Sequence, residues 1–194
     1  MGDFEWALTS ALNAYFEKSG IEAIAYRLKQ SRFATQVMDI LVDSKRPEYY
    51  LAIECKSLDS RKTKSLYFKQ HFNSSGGSHQ IDRESEFIRK SGRTGVLAVE
   101  LRKGAGKPKA AHLVPWGIVY QSFHSGNSGL CLEEIETNPA LERKGGEYEI
   151  SHLDIVRISG YFDIVPSSEN SEDSEDDGYA EQNYADRRSE TCGE

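Results

Sequence analysis

The stretch Leu51-Ala52-Ile53-Glu54-Cys55-Lys56 decides how the rest of the chain is read. An apolar run of this kind, bounded by Pro47 on one side and a polar segment on the other, predicts a buried strand over 49–56. Alternate side chains of a strand face opposite ways, so Ile53 and Cys55 enter the core while Glu54 and Lys56 emerge together on the other face. Upstream, Val37-Met38-Asp39-Ile40-Leu41-Val42 predicts a second strand, and the turn residues Lys45-Arg46-Pro47 join the two into a hairpin. Asp39 interrupts that apolar run, where an unpartnered carboxylate would be costly to bury. Hairpin pairing brings it towards Glu54.

Working outward, Phe4, Leu8, Ala11, Leu12, Tyr15 and Phe16 recur at helical spacing, with Asp3 as a candidate N-cap and Gly20 as a stop. A short strand is expected over 21–28 and a polar, basic loop over 29–36. Residues 60–78, with Arg61, Lys62, Lys64, Lys69 and a Ser-Ser-Gly-Gly run, suggest a long mobile loop or a partly helical arm. A helix over 80–90 ending at Gly92 follows, then strands over 95–101 and 110–114 separated by the Gly-rich basic turn 102–109. Beyond Pro115 a helix is expected over 130–135 and extended chain over 148–150 and 155–165. That last apolar run either covers the sheet or forms a dimer contact. The order of elements predicts an α/β fold with a central mixed sheet flanked by helices.

The charge is unevenly spread. Of the chain's 31 acidic and 24 basic residues, ten acids and only Arg187 and Arg188 fall in 167–194, leaving 21 against 22 before them. The formal charge of -7 therefore hides a near-neutral body whose basic residues concentrate in its middle third. Residues 167–194 lack the aliphatic side chains needed to offset ordering entropy, so the expected layout is a domain over 1–166, with its core motifs in 1–116, and a disordered acidic tail. No apolar run approaches a membrane span, and acids stand where a signal peptide carries positive charge, so no membrane partner and a cytoplasmic location are expected. Cys55, Cys131 and Cys192 have neither disulfide-framework nor zinc-site spacing, and the five histidines, His71, His79, His112, His124 and His152, show no ligand spacing and read as loop or surface residues.

Two carboxylates that converge repel one another unless a hard cation joins them, and oxygen donors favour Mg²⁺, with Mn²⁺ as a substitute. Such an ion polarises a scissile phosphate and lowers the pKa of a bound water, and a neighbouring lysine orients that water or steadies the phosphorane. Taken as isolated D and ExK motifs, these residues are more often a turn cap and a solvated surface pair. Their placement on adjacent apolar strands narrows the choice.

In this arrangement the sequence resembles the archaeal Holliday junction resolvases, a branch of the PD-(D/E)xK nuclease superfamily. The matching residues run from Glu5 in the first helix, through Gly20, Ile24-Ala25-Tyr26-Arg27, Met38-Asp39-Ile40, Ile53-Glu54-Cys55-Lys56-Ser57 and His79-Gln80, to Gly95-Val96-Leu97-Ala98-Val99. The resemblance implies a restriction-endonuclease-like fold. It also implies metal coordination by Glu5, Asp39, Glu54 and the Cys55 carbonyl, Lys56 as catalytic lysine, and Gln80 supporting the site. Gln70 is a rival for that last role because the segment after Lys56 is longer than usual. Ser31 lies where related enzymes carry an assisting serine in a flexible loop. Met38 replaces the usual proline, which removes no ligand.

The implied activity is Mg²⁺-dependent cleavage of four-way DNA junctions in recombination and repair by a homodimer, whose symmetry would match that of the junction. Arg27, Lys29 and Arg32, then Arg61, Lys62, Lys64 and Lys69, then Arg102 and Lys103 are the candidate phosphate contacts. No base-reading module is visible, so shape rather than sequence would be recognised. The alternatives are another nuclease of the same superfamily, restriction-like or repair, and a non-cleaving DNA-binding protein of the same fold. The second would be signalled by a missing site residue.

Overall fold

The computed structural model of the chain describes residues 3–28 and 37–160, all within one contact unit spanning Met1–Asp163. Helix α1 (Asp3–Lys18) forms where the periodicity predicts, with Asp3 as its first residue rather than its cap. It buries Phe4, Ala7, Leu8, Ala11, Leu12 and Phe16, and the chain turns at Gly20, whose φ of 63° favours glycine. The strands β1 (Ala23–Arg27), β2 (Ile40–Ser44) and β3 (Leu51–Asp59) follow, with a 3-10 turn at Pro47–Tyr49 between the last two.

The segment 60–78 is partly helical, one of its two expected forms, and carries short strands that were not expected. It folds as β4 (Ser65–Tyr67), the single-turn α2 (Phe68–His71) and a small hairpin of β5 (Ser74–Ser75) and β6 (Ser78–His79). Leu66, Phe68 and Phe72 are buried, and these three anchors override the polar composition around them. Next come α3 (Gln80–Ser91), closed by Gly92 in the left-handed region, β7 (Thr94–Arg102) and β8 (Ala110–Pro115). After these, α4 (Trp116–His124), β9 (Gly129–Cys131), α5 (Leu132–Glu136), β10 (Ala140–Lys144) and β11 (Glu147–Tyr148) complete the body. Helix α4 and strand β10 have no counterpart in the sequence-based expectation.

The predicted extended run over 155–165 is instead helical as far as it is described: α6 (His152–Ser159) starts at a capping box between Ser151 and Asp154 and stops at Gly160. Local cap chemistry outweighs the strand propensity of its β-branched residues. Ile155, Val156 and Ile158 are buried within this chain, and Ile155 and Ile158 pack in the core on the α1 side of the sheet, as one of the two expected roles requires; 161–165 lie outside the described residues.

Seven strands make one sheet in the order β1-β2-β3-β7-β8-β10-β11. Only β3 and β7 run parallel, linked by a crossover through α3; every other neighbouring pair in it is antiparallel. On one face Phe4, Leu8, Leu12 and Phe16 of α1 and Ile155 and Ile158 of α6 meet Ile40, Ile53, Cys55 and Ala98. On the other, Ile81 of α3, Trp116 and Val119 of α4, and Leu66 and Phe72 meet Leu58, Leu97, Val99 and Val114. The result is the expected mixed sheet between helical layers. No helix among the described residues is long and apolar enough to cross a membrane.

Candidate active site

Asp39 lies one residue before β2, not within it, yet its backbone continues the sheet. Its N–H donates to Ile53 O at 3.1 Å, and its own carbonyl accepts from the Leu28 N–H at 2.9 Å. Because Ile40 pairs with Ile53, Asp39 falls opposite Glu54. Its Oδ2 accepts from the Cys55 N–H at 2.8 Å. Glu54 and Lys56 project together from β3, as alternation requires, but they enter a covered pocket rather than solvent. Glu54 is 3% exposed, and Lys56 Nζ donates to Glu54 Oε1 at 2.5 Å. The ammonium also lies 4.7 Å from the centre of the Phe72 ring, so the residue that caps the end of α2 lids the lysine with an aromatic face.

Helix α3 supplies the far wall. Gln80 Nε2 donates to Glu54 Oε1 at 2.9 Å and to Glu84 Oε1 at 2.7 Å, bridging two carboxylates. Gln70, the rival for the supporting role, is exposed on α2. The electrostatics follow from this crowding. Burial, reinforced by Glu54, pushes the Asp39 carboxyl up to about 7, against the opposing pull of the Cys55 N–H and Lys56. Glu84 is raised well above the usual carboxylate range by burial and by Glu54. Burial alone would lower the Lys56 ammonium, but Glu54, Asp39 and Glu84 together reverse that and raise it.

The other predicted residues are more scattered. Glu5 projects from α1, but its Oε2 accepts from Arg27 Nη2 at 2.5 Å, so both a candidate ligand and a candidate phosphate contact are engaged with each other. The Cys55 thiol packs in the α1-side core and is held protonated by burial. Ser31, Lys29 and Arg32 lie outside the described residues. Arg61 pairs with Asp59 at 2.8 Å, and Lys103 approaches Glu136 at 4.0 Å. Lys62, Lys64, Lys69 and Arg102 are exposed. The turns after β3 and β7 abut, since the Ser60 N–H donates to Arg102 O at 3.1 Å, so Arg61, Lys62, Arg102 and Lys103 share one rim at the carboxyl ends of the parallel pair.

Three neighbours were not anticipated from the sequence. Glu84 reads there as one more charge on a polar helix, and only its one-turn spacing from Gln80 signals a shared face. Phe72 gave no signal. His71, expected as a loop or surface residue, stands close enough to Lys56 for that cation to help burial lower its pKa. His112, also expected at the surface, is buried in β8.

The donor set suits a hard cation in kind: Asp39 and Glu54 offer crowded carboxylate oxygens, and Glu84 Oε2 is buried with no hydrogen-bond partner among the described residues. As the side chains stand, no three His, Cys, Asp or Glu among the described residues form a ready metal cage. Lys56 instead neutralises Glu54.

No family model matches the sequence, and no curated protein matches it. Among solved structures the chain is similar to the Holliday junction resolvase Hjc of Archaeoglobus fulgidus, an archaeal hyperthermophile, with 19% identity over 74% of this chain and 85% of that one, and a TM-score of 0.34. That overlap is loose. The function proposed for this chain rests on its own residues.

Proposed function

We propose that the chain is a metal-dependent endodeoxyribonuclease of the PD-(D/E)xK type that resolves four-way DNA junctions in recombination and repair. The observation that carries the nuclease reading is the convergence of Asp39, Glu54 and Lys56 in one covered pocket. The junction substrate is drawn from the residues that resemble the archaeal resolvases. Asp39 and Glu54, with the Cys55 carbonyl and Glu5, would hold Mg²⁺ or Mn²⁺, which when bound supplies Lewis acidity and charge neutralisation at the scissile phosphate. Lys56 orients the attacking water and offsets the charge that develops on the phosphorus oxygens. Gln80 fixes the Glu54 carboxylate by its 2.9 Å hydrogen bond. The basic rim of Arg61, Lys62, Arg102 and Lys103, with Lys64 and Lys69 nearby in sequence and the 27–32 segment, grips phosphates without reading bases. Ser31 assists from that segment. A homodimer acting on the near two-fold symmetry of the junction completes the proposal.

Labelled four-way junction, linear duplex and single strands incubated with the chain and Mg²⁺ test this. Paired symmetric nicks in the junction alone, lost on Asp39→Asn or Glu54→Gln, are expected. Cutting of linear duplex would replace the resolvase by a broader nuclease of the same fold. Tight binding with no cutting would replace it by a DNA-binding scaffold.

A further inference from the structure

Strand β1 stands at one end of the sheet, paired with β2 alone among the described residues. In an antiparallel edge strand alternate residues turn their N–H and C=O towards the neighbour, and the residues between turn theirs outward. Leu28, just past β1, donates to Asp39 O in line with β2, so Ile24 and Tyr26 face β2 as well, and Ala23, Ala25 and Arg27 face out. The Ala23 N–H is turned aside to Ile21 O at 2.9 Å. Ala25 sits mid-strand, where an outward N–H and C=O form a template for another strand.

Both groups are taken by one side chain. Asn13 of α1 accepts from the Ala25 N–H through Oδ1 at 2.8 Å and donates from Nδ2 to Ala25 O at 2.8 Å. A carboxamide carries the donor and acceptor of a peptide unit, so it reproduces the two reciprocal bonds of a hydrogen-bonded pair in an antiparallel ladder. Helix propensity gives no reason for it, because asparagine is a poor residue in a helix interior and alanine, found at Ala7, Ala11 and Ala14 of the same helix, is the best.

We infer that Asn13 is a built-in edge stop: it stands in for a strand at Ala25 and keeps β1 from pairing with β1 of a second copy of this chain. The symmetry of the register identifies that partner. Two β1 strands running antiparallel about Ala25 would exchange the same two hydrogen bonds that Asn13 now makes, setting Ile24, 59% exposed, opposite Tyr26 of the copy. The opposite edge, β11, is blunted by its length of two residues. Whether or not the chain cuts DNA, any homodimer of the natural protein is then built on a surface other than the β1 edge.

Light scattering of the full-length natural chain and Asn13→Ala over a concentration series tests this, with amide hydrogen exchange at Ala25 read in parallel. Alanine is the better helix former, so Asn13→Ala is expected to fold. Its mass is expected to rise with concentration to at least about twice that of the natural chain. Adding Ile24→Lys, which sets a charge on the exposed side of the same edge, is expected to restore the natural mass. At the lowest concentration the Ala25 N–H of Asn13→Ala is expected to exchange about 10-fold faster, while Ile24 and Tyr26 keep their rates. The natural mass at every concentration would overturn the inference, and so would unchanged exchange at Ala25. A larger mass that persists with Ile24→Lys would also overturn it, since the association would then lie elsewhere. Should Asn13→Ala not fold, Asn13→Leu keeps the side-chain shape, loses both hydrogen bonds and is read by the same outcomes.

Discussion

Asp39 shows how one residue can be costly to the fold and central to the candidate site. Its carboxyl titrates near 3.8 when unfolded and about 7 when folded, because burial and Glu54 both oppose its charge. The folded state therefore binds the proton more tightly. The resulting stabilisation is complete below about pH 4 and is lost as the pH rises through about 7. The raised Glu84 carboxyl acts in the same sense, whereas Asp43, Asp59 and Glu86 are held below the usual range by arginine or lysine partners and act only at more acid pH. In chelator the urea midpoint should fall between pH 4.5 and 8, with about 4 kcal/mol as the upper bound for Asp39. Asp39→Asn should flatten that slope; an equal slope in both proteins would show that Asp39 is not under this strain.

Among the elements, the 60–78 segment matters most to the site, because it seats Phe72 against Lys56. It is held by the pairing of β4 with β9, where Gly129 passes so close that a Cβ on it would lie 2.3 Å from Leu66 O. A backbone oxygen cannot rotate away. Gly129→Ala should therefore destabilise the protein by about 1–3 kcal/mol in urea denaturation. An unchanged midpoint would mean that the two strands can part without cost. This segment was also the least legible in the sequence: its anchors Leu66, Phe68 and Phe72 are few, follow neither helical nor strand spacing over any length, and sit among charges and glycines. Helix α1, strand β3 and helix α3 were legible because their periodicity and stops are local, including the Gly92 cap. In α6 the β-branched residues point to a strand, whereas the Ser151–Asp154 capping box decides for a helix. Within the site, Asp39, Glu54 and Lys56 could be placed together from hairpin pairing alone. The Glu5–Arg27 pair and Glu84 could not, since both depend on how helices dock on the sheet.

At the scale of the whole molecule, the acidic residues after 166 mask a body whose basic turns gather at the carboxyl ends of β3 and β7, the end at which open α/β sheets commonly take ligands. Sheet, crossover helix and aromatic lid then converge on Lys56, which touches Glu54 and Phe72 and is electrostatically coupled to Asp39 and Glu84. If the molecule is built for phosphodiester hydrolysis, this lysine is the group whose loss should separate chemistry from binding. The decisive measurement is single-turnover cutting of a four-way junction in Mg²⁺ by Lys56→Met, with junction affinity measured in parallel in Ca²⁺. A fall in rate of at least about 100-fold with affinity little changed is predicted; cutting at the natural rate would contradict the account.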